Sequence, residues 1–183
     1  SATQQAELFM ARLHEVLSLE PAEQGASRSK TFLPIVLAVA SVSPRVRNQS
    51  EAAYYAKFYT AAACQWLETV RRSLPSSSQN SLMLFTYPYI YKDYGFDRAP
   101  CSMGDIPIWL ANFPLDGGRF STDPTQRQIE QEICLRGGSN RCRFQLYSSY
   151  GVFAQFDGNA ALDLDRYHGT EQDLAKLLQT LPR

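Results

Sequence analysis

Three short apolar runs do most to limit how this chain can fold. Residues 33–40 (LPIVLAVA), 82–86 (LMLFT) and 106–110 (IPIWL) consist almost entirely of aliphatic and aromatic side chains. Runs this short, apolar at consecutive positions, read as strands covered on both faces. The intervening segments are helical in pattern. In residues 4–19, Ala6, Phe9, Met10, Leu13, Val16 and Leu17 recur in steps of three and four, which is the stripe of an amphipathic helix. Residues 50–73 open at Ser50, a good N-cap, and present Ala53, Phe58, Ala61, Ala62, Trp66 and Val70 as the expected sheet-facing side. Residues 87–91 read as an aromatic loop, and a long loop contains Asp116-Gly117-Gly118. Two further strands are expected at 143–147 and 160–165. A closing helix is expected at 170–181, with Thr170 as N-cap. Strands alternating with helices and long connections predict a parallel sheet flanked by helices.

The bulk properties narrow the function. At 183 residues with 44% hydrophobic content, the chain suits one domain with a real core. Eighteen basic and eighteen acidic residues cancel, which argues against a broad surface for nucleic acid. No apolar run reaches the roughly 20 residues of a membrane span, so membrane insertion is not expected. No leader peptide is visible at the N-terminus.

Of the four cysteines, Cys134 and Cys142 flank Gly137-Gly138-Ser139-Asn140, a turn sequence that favours a bridge between them. The alternative is four reduced thiols. No CxxC occurs, and His14 and His168 lie far from the cysteines, so neither zinc nor another metal is expected. His14 reads as a half-exposed helix histidine. Gly117-Gly118 lacks the Lys-Ser/Thr of a phosphate loop. Ser148-Ser149 lacks the Gly-x-Ser-x-Gly elbow. No cofactor is implied.

Three segments resemble glycoside hydrolase family 25, the Chalaropsis-type lysozymes. Residues 82–87 (LMLFTY) are similar to its "lYT" strand. Residues 105–113 (DIPIWLANF) are similar to its "plWiA-x-Y" motif. Residues 145–169 (QLYSSYGVFAQFDGNAALDLDRYHG) are similar to its closing "WQYSS-x-G…G-x-vDlN-x-F-x-G" pattern. Residues 4–9 resemble the helix before the fourth strand, and 33–40 align with its "LPpvLDvE" strand. The resemblance implies an incomplete or modified TIM-like β/α barrel with parallel strands, running from about strand four to strand eight in one domain over 1–183.

It also implies peptidoglycan as the ligand, N-acetylmuramidase chemistry and a secreted or periplasmic setting. Glycoside cleavage needs a proton donor and a group that stabilises the oxocarbenium-like centre. Ala38 and Ala40 stand where the family carries its acidic pair, and alanine supplies neither function. The first three family strands, one bearing a further aspartate, have no counterpart here. Asp163 is the retained carboxylate, and Asp165, on the same strand face, replaces an asparagine. Tyr87, Trp109, Asn112 and Asp165 are the expected substrate-binding residues. Tyr89 and Phe113 read as packing residues. The expectation is therefore a lysozyme-like domain with impaired cleavage. The alternatives are a non-catalytic glycan- or protein-binding relative, such as a toxin's partner, or a glycosidase using Asp163 and Asp165.

Overall fold

The computed structural model describes residues 1–19, 31–32, 34–40, 49–75, 82–99, 101, 106–112, 115–116, 119–120, 124–135, 141–151, 162–177 and 179–180. In chain order the main elements are α1 (Ala2–Leu19), β1 (Ile35–Val39), α2 (Gln49–Ser73), β2 (Leu82–Thr86), α3 (Pro88–Asp93), β3 (Ile108–Ala111), α4 (Pro124–Cys134), β4 (Cys142–Gly151), β5 (Leu162–Tyr167) and α5 (Glu171–Leu177). The strands form one five-stranded sheet in the order β1-β2-β3-β4-β5.

The first four strands are parallel, as the alternation with helices predicts. The fifth is not: β5 runs antiparallel to β4, which corrects the expectation of uniformly parallel strands. The reason is chain length. Only residues 152–161 separate the two strands, fewer than the dozen or so that a parallel crossover requires. Among the described residues β1 and β5 are the two edges of an open sheet, and no strand pairing closes it into a barrel.

One face of the sheet carries the main core. Leu82, Leu84, Ile108, Leu110 and Cys142 from the strands meet Ala6 and Met10 of α1, Ala63, Cys64, Leu67 and Val70 of α2, Ile90 and Tyr91 of α3, and Ile133 of α4. The α2 stripe is rotated from the expected one. Ala53 is exposed and Phe58 is 59% exposed, while Thr60, Ala63, Cys64, Leu67, Val70 and Leu74 are buried. These positions step by three and four. Alanines and a cysteine let α1 and the sheet approach α2 closely, and the bulky aromatics at 54 and 58 are left to solvent.

Several boundaries move for identifiable reasons. Residues 88–93 form α3 because Pro88 sits in its first turn, where the missing N–H costs nothing. Strand β3 starts at Ile108, since Pro107 cannot donate to the ladder. The Pro107 carbonyl still accepts from Leu84 N at 3.0 Å. Helix α4, absent from the sequence reading, covers 124–134. Leu115–Asp116 and Arg119–Phe120 pair antiparallel within the region read as a loop. Helix α5 ends at Leu177, short of the expected 181, and Gln179–Thr180 then pair with Thr31–Phe32. Its start follows expectation: Asp173 N donates to Thr170 Oγ1 at 3.1 Å, and Thr170 N donates to Asp173 Oδ2 at 3.2 Å, a reciprocal cap.

Two disulfides join these layers. Cys134–Cys142 ties the last residue of α4 to the first of β4, and Cys64–Cys101 ties α2 to the segment before β3. The turn sequence 137–140 lies outside the described residues. Next to the first bridge, buried Arg141 donates from Nη1 to Tyr91 Oη at 3.2 Å and from Nη2 to the Ile106 carbonyl at 3.3 Å. It thereby locks α3 and the start of β3 to β4.

Candidate functional site

The second face of the sheet is aromatic. Side chains in lateral register point to the same side of a sheet. The register runs Ala38 to Phe85, Phe85 to Trp109, Trp109 to Phe144, and Phe144 to Tyr167. One row therefore crosses all five strands, with an alanine at the β1 end and four aromatic rings beyond it. Neighbouring ring centroids are 5.7, 5.3 and 5.1 Å apart. The row bends upward through Tyr87, 6.0 Å from Phe85, to Tyr89, 5.6 Å from Tyr87. All six rings keep some solvent exposure, and Tyr89 is 56% exposed.

Among the described residues, Asp165 is a fixed polar partner of the row. Asp165 lies opposite Leu146, two residues along β5 from Tyr167 and on the same face. Its Oδ1 accepts a 2.7 Å hydrogen bond from the indole Nε1 of Trp109. That bond orients the indole plane and holds an exposed carboxylate beside it. Trp109 and Asp165, expected in one site from sequence, are thus in direct contact. An aromatic face next to a carboxylate acceptor suits a ligand with apolar faces and hydroxyl or amide edges.

Tyr167 closes the row under tight steric control. A side chain at Gly169 would come within 2.6 Å of the Tyr167 ring and 2.7 Å of its hydroxyl, so only glycine lets the ring lie there. Burial raises the Tyr167 hydroxyl above the ordinary phenol pKa; Arg143 opposes the shift and Asp173 adds to it. The group is a neutral phenol at physiological pH.

The remaining expected residues fall as follows. Tyr87 belongs to the row, and so does Tyr89, which had been read as a packing residue. Ala38 is exposed and in register with Phe85, and half-buried Ala40 follows it past the end of β1. Asp163 lies in β5, but its side chain and Phe113 are outside the described residues. The alanine positions and the β5 carboxylates sit on opposite edges, roughly 19 Å apart along the sheet at about 4.8 Å per strand. Asn112 turns the other way: it is 3% exposed and donates through Nδ2 to Glu130 Oε2 of α4 at 3.4 Å. It ties the end of β3 to α4, on the face opposite the aromatic row.

Beside it on that helix-facing side, His168 Nε2 meets the Oε1 of buried Gln145 at 3.1 Å. Burial holds His168 below the usual imidazole pKa; Arg166 adds to this and Glu130 opposes it. The sequence reading missed Phe85, Phe144 and Tyr167. Alternation along β2 places Phe85 with Tyr87. Phe144 was hidden by the bulge between Ile108 and Trp109, which shifts β4 by one residue. Among the described residues, no group of three or more metal-binding side chains is found.

Among the described residues the chain is thus a mixed α/β fold, an open, mostly parallel five-stranded sheet with helices. No family model matches the sequence, and no curated protein does. Among solved structures, the crystal structure of the Clostridium perfringens spore cortex lytic enzyme SleM has a similar fold, with a TM-score of 0.52 at 17% identity. The similarity covers 94% of this chain and 46% of that one, so the chain spans less than half the length of that enzyme. At this identity, the shared property is the fold.

Proposed function

We propose that this chain is a single peptidoglycan-directed, lysozyme-like domain, equivalent to about strands four to eight of the family 25 barrel, that holds the glycan but cleaves it feebly. The supporting observation is the composition of one sheet face: contacting rings, the Trp109–Asp165 pair, and alanine at the β1 end. SleM is named as a spore cortex lytic enzyme, which fits the same substrate class. In this reading Tyr87 and Trp109 lie against sugar rings, and Asp163 and Asp165 accept from hydroxyl or amide groups. Cleavage of the β-1,4 bond between N-acetylmuramic acid and N-acetylglucosamine lacks its proton donor at position 40 and a second acid at position 38. General acid–base catalysis is typically worth about 10²–10⁴-fold, so the loss reduces the rate by at least that order.

Two disulfides favour an oxidising setting, consistent with secretion or the periplasm. The decisive experiment measures both functions on purified insoluble peptidoglycan. The unmodified chain is expected to co-sediment with it and release almost no reducing ends, and the double substitution Ala38→Asp, Ala40→Glu to raise release without tightening binding. Rapid clearing by the unmodified chain would overturn the impairment and favour a glycosidase that uses Asp163 and Asp165. No co-sedimentation would overturn the glycan reading.

A further inference from the structure

The N-terminal half of α2 carries a second group of rings, separate from the row on the sheet. Centroids lie 5.5 Å apart for Tyr54 and Tyr55, 6.1 Å for Tyr55 and Tyr59, and 5.6 Å for Phe58 and Tyr59. Tyr59 also meets Tyr94, the C-cap of α3, edge-on at 5.6 Å. Tyr55, Tyr59 and Tyr94 pack against the core. The outer two rings do not: Tyr54 is 68% exposed and Phe58 59%. Exposed Lys57 stands with them on one helix face, at a spacing of three from Tyr54 and next to Phe58.

Topology joins this group to the aromatic row. Strands β1 and β2 are parallel, so α2, which follows β1, enters at the end of the sheet where β2 delivers Tyr87 and Tyr89. Burial raises the Tyr94 hydroxyl above the ordinary phenol pKa, and Tyr59, Asp93, Tyr89 and Tyr55 add to the rise. Tyr89, the exposed end of the row, is thus an electrostatic neighbour of the ring group on α2. Buried Thr60 donates from Oγ1 to the Tyr94 carbonyl at 2.7 Å, and one turn further along α2 the Cys64–Cys101 bridge ties down the chain beyond α3. The inner rings are therefore held in place before any ligand arrives, which spares the ordering cost of binding.

We propose that Tyr54, Lys57 and Phe58 form a second subsite for the glycan strand that lies on the aromatic row, reached where the strand passes over Tyr89. The subsite rests on the peptidoglycan reading of the row and adds two requirements to it, length and charge. Flat rings with hydroxyl handles suit the C–H faces and polar edges of sugars. Lys57 selects among sugars. Its ammonium complements the carboxylate of N-acetylmuramic acid, whereas a chain of N-acetylglucosamine alone offers it no partner charge. The lysine is exposed, so the preference is modest and weakens with salt.

The test is calorimetric titration of the unmodified chain with three probes: a peptide-free disaccharide and octasaccharide from peptidoglycan, and a neutral octasaccharide of N-acetylglucosamine. The peptidoglycan octasaccharide is expected to bind about ten-fold more tightly than the disaccharide. Tyr54→Ala with Phe58→Ala is expected to remove most of that gain, leaving disaccharide affinity and circular dichroism unchanged. Lys57→Ala is expected to abolish the preference for the acidic octasaccharide over the neutral one. Val16→Ala, at an exposed apolar position on α1, is the control and is expected to change nothing. Equal affinity for both lengths, equal affinity for the acidic and neutral chains, or a paired substitution that weakens both lengths alike or neither would overturn the subsite and leave the row's reading intact. Failure of the peptidoglycan reading itself has another signature, no binding of any probe by the unmodified chain, and it would overturn both.

Discussion

Removing the Cys64–Cys101 bridge by replacing both cysteines with alanine tests whether the two disulfides act through the loops they close. In the chain-entropy description, a cross-link restricts the unfolded chain more as the loop it closes lengthens. The Cys64–Cys101 separation of 37 residues corresponds to about 3.8 kcal/mol at 25 °C. The Cys134–Cys142 separation of 8 residues corresponds to about 2.5 kcal/mol. Whole-domain stabilities are only about 5–15 kcal/mol, so either loss is large. At roughly 2–4 °C per kcal/mol for a chain of this size, the first pair lowers the melting temperature by about 8–15 °C and the second by about 5–10 °C. Urea unfolding followed by circular dichroism measures both, with the slope checked for constancy. The order is the discriminating quantity. If removing the short-loop bridge costs more, the entropic reasoning fails, and packing around Cys134 and Cys142, both under 7% exposed, is the larger effect.

Three other perturbations have definite outcomes. Trp109→Phe keeps a ring in the row but removes the donor to Asp165; with a charge-assisted bond worth about 1.5–3 kcal/mol before solvent weakens it, peptidoglycan co-sedimentation is expected to fall several-fold with little change in melting temperature. His168 has its pKa depressed by burial, so the unfolded chain binds the proton more readily. Its contribution to stability is present above the ordinary imidazole value and is lost as pH falls through the lowered one. His168→Gln is expected to flatten that limb of the stability–pH curve, measured by urea midpoints from pH 7 downward. Thr170→Ala removes the reciprocal cap with Asp173 and is expected to cost about 1 kcal/mol of stability, readable in the same titration.

Much of the architecture is written in local pattern. The β2 strand is legible to the residue because an apolar run between a proline-serine segment and a proline leaves no other element. The start of α5 is legible because threonine followed three residues later by an acid caps a helix. The antiparallel turn of β5 is equally a matter of chain length, since the connection from β4 is too short to cross over, yet a rule that reads only strands and helices passes over it. Helix α4 was missed because its polar sequence, PTQRQIEQEIC, buries only Ile133 and Cys134 among its described side chains, too little for a periodic stripe. The site divides in the same way. Tyr87, Trp109 and Asp165 stand out as residue types, but the row they belong to comes from lateral register, and register depends on a bulge no single strand reveals. Asn112 shows the converse: a plausible binding side chain in sequence, turned by tertiary packing towards Glu130.

Both disulfides and the Arg141 clamp brace the helical side of the sheet, and none of the described cross-links reaches the aromatic side. The covalent bracing is therefore concentrated on one side of the sheet, while the other is held by ring contacts and the Trp109–Asp165 hydrogen bond. A scaffold braced on one side in this way tolerates exchange on the other while its topology persists.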